Sequence, residues 1–249
     1  MDYTSALHRL RCFDTPSVSA EDSVRTEMYV TERKRREARV QVGSLDEWLK
    51  SLNMHVVAEL LSEATLDRAV QLFNKTNQMN LSTRRLTKEE LWHWSQQDEN
   101  HILVFRISDK FGDYGITGIG SISLRRGAEL QAQLVDFILS CRVMGRKIEE
   151  TMLHVVVGLT RMARAKALRA EYIATSKNQP CLRFFENSGL AKINGSTTYF
   201  WSAAQTYPKP AFVALAFDPS KRMRSAEIAR DEPESDQSLI TSAATILEE

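Results

Sequence analysis

The residues richest in chemical possibility are six in a row, Arg142-Val143-Met144-Gly145-Arg146-Lys147. An alternating segment, Ala132 to Leu139, runs into them, and a long amphipathic stretch begins at Ile148. Strand, tight basic turn and helix start make a place to hold phosphate. The first helical turn carries N–H groups without intrahelical partners, and the helix dipole is positive there. Arg142, Arg146 and Lys147 add charge, and Gly145 permits close backbone approach. The pattern suits a pyrophosphate-bearing carrier such as coenzyme A; it equally suits a structural turn with solvated cations. Cys141 precedes the turn, as a nucleophile for a covalent acyl relay or as a small buried hydrophobe. Asp136 lies in the apolar run Leu134-Val135-Asp136-Phe137, where a charge is costly unless paired. It is a candidate catalytic base or acceptor ligand, or else the partner of Arg106 or another strand residue. Glu59 and Asp113 are the other candidate bases.

A second group sits in the polar segment Asn74 to Arg85. Asn77, Asn80, Arg84 and Arg85 could form a substrate-gripping lid, the two arginines reaching a phosphate or carboxylate. The alternative is a loop whose Asn and Thr side chains satisfy its own backbone. Asn178, ahead of a short apolar-faced segment, is placed as a helix N-cap. Trp92 and Trp94 suit packing better than a ligand platform. His8, His55, His93, His101 and His154 form no metal-binding spacing with each other or with cysteine, so no metal is expected. Cys12, Cys141 and Cys181 are odd in number and widely spaced, as suits reduced thiols in the cytoplasm.

These groups need elements to position them. Ser44 to Glu47 forms a capping box before Trp48, and Met54 to Leu61 is β-rich. Thr65 to Asn74 has one apolar helical face, and Thr87-Lys88-Glu89-Glu90 caps a second helix through Trp94. Three meandering strands follow, His101 to Ser108, Ile116 to Leu124 and Leu130 to Cys141. A helix is predicted from Ile148 to about Lys166, a strand over Leu168 to Ala174, and a helix from Asn178 to Ser188 ended by Gly189. A hairpin over Ile193 to Ser202 turns at Asn194-Gly195, and Pro208 to Phe217 supplies an edge strand. The class is α+β, a mixed central sheet flanked by helices, with a helical extension at the N-terminus.

Composition narrows the function classes. With 33 basic against 32 acidic residues, net +1, the chain lacks the basic excess of a dedicated nucleic-acid binder. No apolar run approaches the roughly 20 residues of a membrane span. Residues 1–43 read as a polar helical connector or the remnant of a preceding domain, with a helix opening at Ser19 and a charged run Glu32 to Arg39. Residues 44–217 form the main domain, and residues 218–249 read as a disordered tail.

Strand, Arg-x-x-Gly, long helix, strand, Asn178, short helix and Gly189 together resemble the Gcn5-related N-acetyltransferase (GNAT) superfamily. The runs Ala20 to Tyr29, Gln71 to Arg85, Phe111 to Gly115 and Leu139 to Arg146 resemble, more narrowly, the C-terminal half of FkbH-like proteins, over roughly residues 15 to 203. The first resemblance implies a GNAT-like fold and an acyltransferase. Acetyl-CoA, another acyl-CoA or a carrier protein's phosphopantetheine would lie in the splay of neighbouring strands. Its phosphates would sit on residues 142 to 147, Asn178 would touch its arm, and backbone N–H groups near Leu139 to Cys141 would polarise the thioester. The second implies association with glyceryl or methoxymalonyl extender supply in polyketide biosynthesis. Its partners would be an acyl carrier protein and a separate HAD-type (haloacid-dehalogenase-like) protein, since the chain has no Asp-x-Asp motif. Two positions depart from the superfamily pattern: Lys147 stands where Gly or Ala is usual, and Phe184-Phe185 precede Glu186 where a proton-donating Tyr is frequent. Both departures favour an alternative, a non-catalytic module of the same fold that docks a carrier protein or the HAD partner.

Overall fold

The computed structural model describes residues 43–217 and, ahead of them, Arg33, Arg35, Glu37 and Arg39, which lie in helical backbone. The expected helix at Ser19 and tail from residue 218 fall outside the described residues. The chain divides into two compact units, Met1–Trp48 and Leu49–Glu249. In the first, the Arg39 guanidinium lies 5.1 Å from the centre of the Trp48 ring. Helix α1 (Leu45–Leu52) begins where Ser44 accepts the Glu47 amide proton at 3.2 Å.

The second unit is built on a mixed open sheet. Its strands are β1 (Met54–Leu60), β2 (Met79–Asn80), β3 (Asn100–Asp109), β4 (Gly112–Arg125), β5 (Gln131–Leu139), β6 (Ala167–Glu171), β7 (Ala191–Lys192), β8 (Thr198–Ser202) and β9 (Val213–Phe217). Their order is β7-β8-β6-β5-β4-β3-β1-β9, with β2 added to β5. Neighbours are antiparallel except β5 with β6 and β1 with β9.

Helices cover both faces. On one face α2 (Glu63–Lys75) and α3 (Lys88–Ser95) bury Leu66, Ala69, Leu72, Phe73 and Leu91 against Ile102, Val104, Ile119 and Ile138. Trp92 and Trp94 pack at the margin of this cluster, as packing residues. The Thr87–Glu90 capping box is formed in both directions, at 2.8 and 3.2 Å. On the other face lies α4 (Ile148–Met162). Side chains alternate along a strand, so Gly118 and Gly120 point away from Ile119 and toward α4. A Cβ on Gly120 would come within 2.9 Å of Val156 Cγ2, so glycine here is what lets the helix close on the sheet.

Two of the differences from the sequence expectation have a clear physical reason. Helix α4 stops at Met162 rather than near Lys166. Arg164 turns left-handed (φ 56), and the amides of Arg164 and Ala165 bond back to the carbonyls of Arg161 and Thr160. That is a Schellman ending with arginine in the position glycine usually holds. The larger difference is β2. The run after α2 was expected as loop, yet Met79, Asn80 and Leu81 are all buried and Met79–Asn80 is paired into the sheet.

Candidate functional site

The site begins with a defect in the β4–β5 ladder. Ser121 pairs with Asp136 and Ile122 with Leu134, which leaves Val135 as an extra residue in β5. Such a bulge bends the strand and increases its twist. Pairing of β5 with β6 ends at the same level, with Leu134 opposite Ala170. Beyond it the two strands diverge, and the outer edge of Phe137–Leu139 is left for another segment.

Met79–Leu81 takes that edge. Met79 pairs with Leu139, Asn80 with Ile138, and the Leu81 amide donates to Phe137 O at 3.1 Å. The far side of this segment is tied as well: the Ile173 amide donates to Leu81 O at 3.1 Å. The chain therefore fills its own fork with an extended peptide segment.

Asn178 fixes the segment there. Its side chain is fully buried and uses every valence it has. Nδ2 donates to Asn80 O (3.0 Å) and Ile173 O (2.8 Å); Oδ1 accepts from Tyr172 OH (2.7 Å) and the Thr175 amide (2.8 Å). It occupies the N-cap position of α5 (Gln179–Asn187), but its side chain does not cap that helix. The capping role does not match this arrangement, in which the four hydrogen bonds of the side chain go to the chain itself.

Asp136 is likewise fully engaged. Oδ1 accepts from Ser82 Oγ (2.5 Å) and Arg84 Nε (3.0 Å); Oδ2 accepts from Arg84 Nη2 and Ser121 Oγ. Arg106, the partner foreseen for it, pairs with Asp113 instead. The Arg84 guanidinium also lies 5.1 Å from the centre of the Trp94 ring. Arg85 donates to Phe73 O, Thr76 O and Asn77 Oδ1, while Asn80 Nδ2 donates to Thr76 O and its Oδ1 accepts from the Thr83 amide. Of the two readings of the 74–85 segment, the self-satisfied one is the conformation present. Asn77, Asn80, Arg84 and Arg85 hold their own chain, and a free catalytic carboxylate at Asp136 is replaced by a buried ion pair.

The basic turn divides its residues among several tasks. Val143 is buried with its amide on Ser140 O. Arg146 is buried and donates to Tyr114 OH, with its guanidinium 4.0 Å from Asp109 Oδ2; Asp109 in turn accepts from Tyr114 OH at 2.8 Å. This cation ties the turn to the β3–β4 hairpin. Arg142 and Met144 are half-buried, and Gly145 is exposed with φ 73. Lys147 pairs with Glu150 at 2.7 Å and sits at φ 64, a left-handed conformation that favours glycine. A glycine at this position, one of the two residues expected by resemblance, thus has a conformational reason, whereas alanine has none.

Glu149, which the sequence reading passed over, occupies the centre of this turn. It is 5% exposed, its Oε1 accepts the Gly145 amide proton at 2.8 Å, and its Oε2 is buried without a partner. Burial pushes its carboxyl up to about 7 against the opposing pull of the Gly145 amide. The folded state therefore holds a proton between the ordinary value of 4.5 and about 7 that the unfolded state has released. The group's contribution to stability falls as pH rises through that window, by on the order of 3 kcal/mol.

Cys141 lies just past the end of β5 and is exposed, not a buried hydrophobe. Nearby N–H groups are partly committed: the Ser140 amide donates to Thr117 O at 2.8 Å. Cys181 is buried, which pushes its thiol up to about 12. Phe184 stacks on Phe137 (5.5 Å, 5°), and Phe185 packs edge-on to both. These rings seal α5 against β5 where a proton donor was sought. His101 and His154 are buried, which lowers both, and His154 Nδ1 meets Tyr207 O at 2.5 Å. Among the described residues, no group of three or more His, Cys, Asp or Glu could hold a metal, and no helix is long and apolar enough to cross a membrane.

No family model and no curated protein matches the chain. Among solved structures, it is similar to acetyltransferases of the GNAT type. Spermidine N-acetyltransferase from Vibrio cholerae, in complex with CoA and spermine, is 12% identical with a TM-score of 0.46, covering 60% of this chain and 96% of that one. A putative phosphinothricin N-acetyltransferase is 15% identical, TM-score 0.44, over 60% and 99%. A GNAT-family acetyltransferase from Staphylococcus aureus Mu50 is 10% identical, TM-score 0.45, over 59% and 99%.

Proposed function

We propose that the chain is a GNAT-like acyltransferase domain that takes a thioester-bearing arm, of acyl-CoA or of a carrier protein's phosphopantetheine, along β5 in the fork below Val135. The observation that supports this is the β5 edge at Phe137–Leu139. The bulge parts it from β6, and it binds an extended amide segment, now Met79–Leu81. A pantetheine arm carries two amides and is the same kind of ligand for such an edge. In this reading the arm replaces Met79–Leu81, and the turn at 142–147 receives its phosphate. An acceptor attacks the thioester carbonyl, its new bond to carbon forms, the carbon–sulfur bond breaks, and the proton lost by the acceptor is balanced by one taken up by the leaving sulfur, which departs as the thiol. Exposed Cys141 stands beside the turn as the nucleophile of a two-step version, first taking the acyl group and then surrendering it. The FkbH resemblance makes the carrier an acyl carrier protein in glyceryl or methoxymalonyl supply, with loading done by a separate HAD-type protein.

Calorimetry with acetyl-CoA and with a phosphopantetheinylated carrier protein tests this reading. The expected result is saturable binding to at least one, lost in Gly145→Glu, which places a second carboxylate and a strained φ in the turn. Absence of binding to both would sink it. The alternative is a non-catalytic docking module, favoured by the self-filled fork and by Phe184 and Phe185. It requires salt-sensitive co-purification with a carrier protein and no acyl turnover.

A further inference from the structure

Glu149 holds the turn at the N-terminus of α4, the place that the thioester reading gives to phosphate. Oε1 already holds the Gly145 amide, and Oε2 is buried within the same turn with no partner. A charged carboxylate in that place repels phosphate. A protonated one keeps the Gly145 bond through its carbonyl oxygen and can offer an O–H to phosphate from the other. We propose that Glu149 is the residue that selects the donor's head group: a phosphate enters the turn only when the Glu149 carboxyl takes a proton from solvent and turns its unpartnered oxygen toward it. This rests on the thioester reading above and adds to it a specificity residue and a coupled proton.

The charges acting most directly on Glu149 are Lys147 and Glu150, which pair with each other. Arg142 and Arg146 share its turn, and Arg146 is engaged with Tyr114 and Asp109 of the β3–β4 hairpin. The strands packed against α4 carry His55 and Glu59 on β1, Asp113 and Arg125 on β4, and Arg169 and Glu171 on β6; Tyr207 and Lys209 precede β9. The unpaired carboxyl oxygen and its bond to the turn set Glu149 apart from all of these. Uptake of one proton makes affinity fall about tenfold per pH unit once the carboxyl is ionised.

The test is binding of CoA, and of pantetheine, which has no phosphate, to the full chain and to Glu149→Gln between pH 6 and 8.5. The wild type should lose CoA affinity about tenfold per pH unit at the alkaline end and show no such slope for pantetheine. Glu149→Gln keeps an acceptor for Gly145 and a permanent donor, so it should bind CoA at pH 8 as tightly as the wild type does at pH 6. CoA binding that is flat with pH and unchanged in Glu149→Gln would overturn the role of Glu149 and leave the thioester reading standing. Failure of both ligands, and of a phosphopantetheinylated carrier protein, to bind either protein at pH 6, with thermal melts confirming the fold, would overturn both.

Discussion

Replacing Asn178 with alanine should lower the unfolding free energy by about 3–4 kcal/mol, measured by urea denaturation. The side chain makes four hydrogen bonds from a fully buried position. Its loss leaves the carbonyls of Asn80 and Ile173 and the Thr175 amide without this partner, while the Tyr172 hydroxyl keeps only its longer, 3.4 Å bond to Asn178 O. Each unsatisfied buried group costs about 1–3 kcal/mol, offset where water enters the space left behind. Asn178→Asp should also destabilise, since a carboxylate cannot donate to the two carbonyls. A change below about 1 kcal/mol in the alanine variant would show that Asn178 is not the clamp on Met79–Leu81.

The Asp136–Arg84 pair should give a comparably large and asymmetric effect. Asp136 is fully buried, whereas the Arg84 side chain is 28% exposed. Arg84→Met leaves a buried carboxylate with only two hydroxyl donors, and the expected cost is about 3–5 kcal/mol. Asp136→Ala releases an arginine that can swing into water, so it should cost less. The double variant should cost less than the sum of the two single changes, because each removes the same interaction. Equal and additive losses would mean that the pair is not the unit that closes this part of the face.

The sequence carried the framework well. The Thr87–Glu90 box, the alternation from Ala132 to Leu139 and the apolar stripe of α4 are local signals, set by spacing within one element. β2 was not legible because it is two residues long, and its stabilisation comes from pairing with Leu139 and Ile138 far along the chain. The apolar residues Met79 and Leu81 within a polar run were the available hint. The partners of Asn178, Arg84 and Arg146 are also long-range, so residue type revealed hydrogen-bonding capacity but not where it is spent. Glu149 was missed because a glutamate in the first turn of a helix is ordinarily an exposed dipole partner. Only the close turn at Gly145 and the packing of α4 on β4 make it a buried one.

Under the proposed function, the chain holds its own groups where both parts of the ligand would lie: the Met79–Leu81 segment along β5, and the Glu149 carboxylate in the turn. In that reading a ligand must displace the first and neutralise the second. The stability lent by Asn178 and by the Asp136–Arg84 pair therefore sets how readily the fork opens, and moderate loosening of Asn178 should favour ligand entry.

Amide hydrogen exchange at Leu81 and Ile173 tests the central claim most directly. Both amides bond across the filled fork, Leu81 to Phe137 O and Ile173 to Leu81 O. If a thioester arm lies along β5, saturating acetyl-CoA or acylated carrier protein must release these two amides. Their exchange should accelerate by at least about tenfold, while core amides of β3 and β4 stay protected. Bound ligand with Leu81 and Ile173 as protected as in the free protein would contradict the account, because the fork would then be permanently closed.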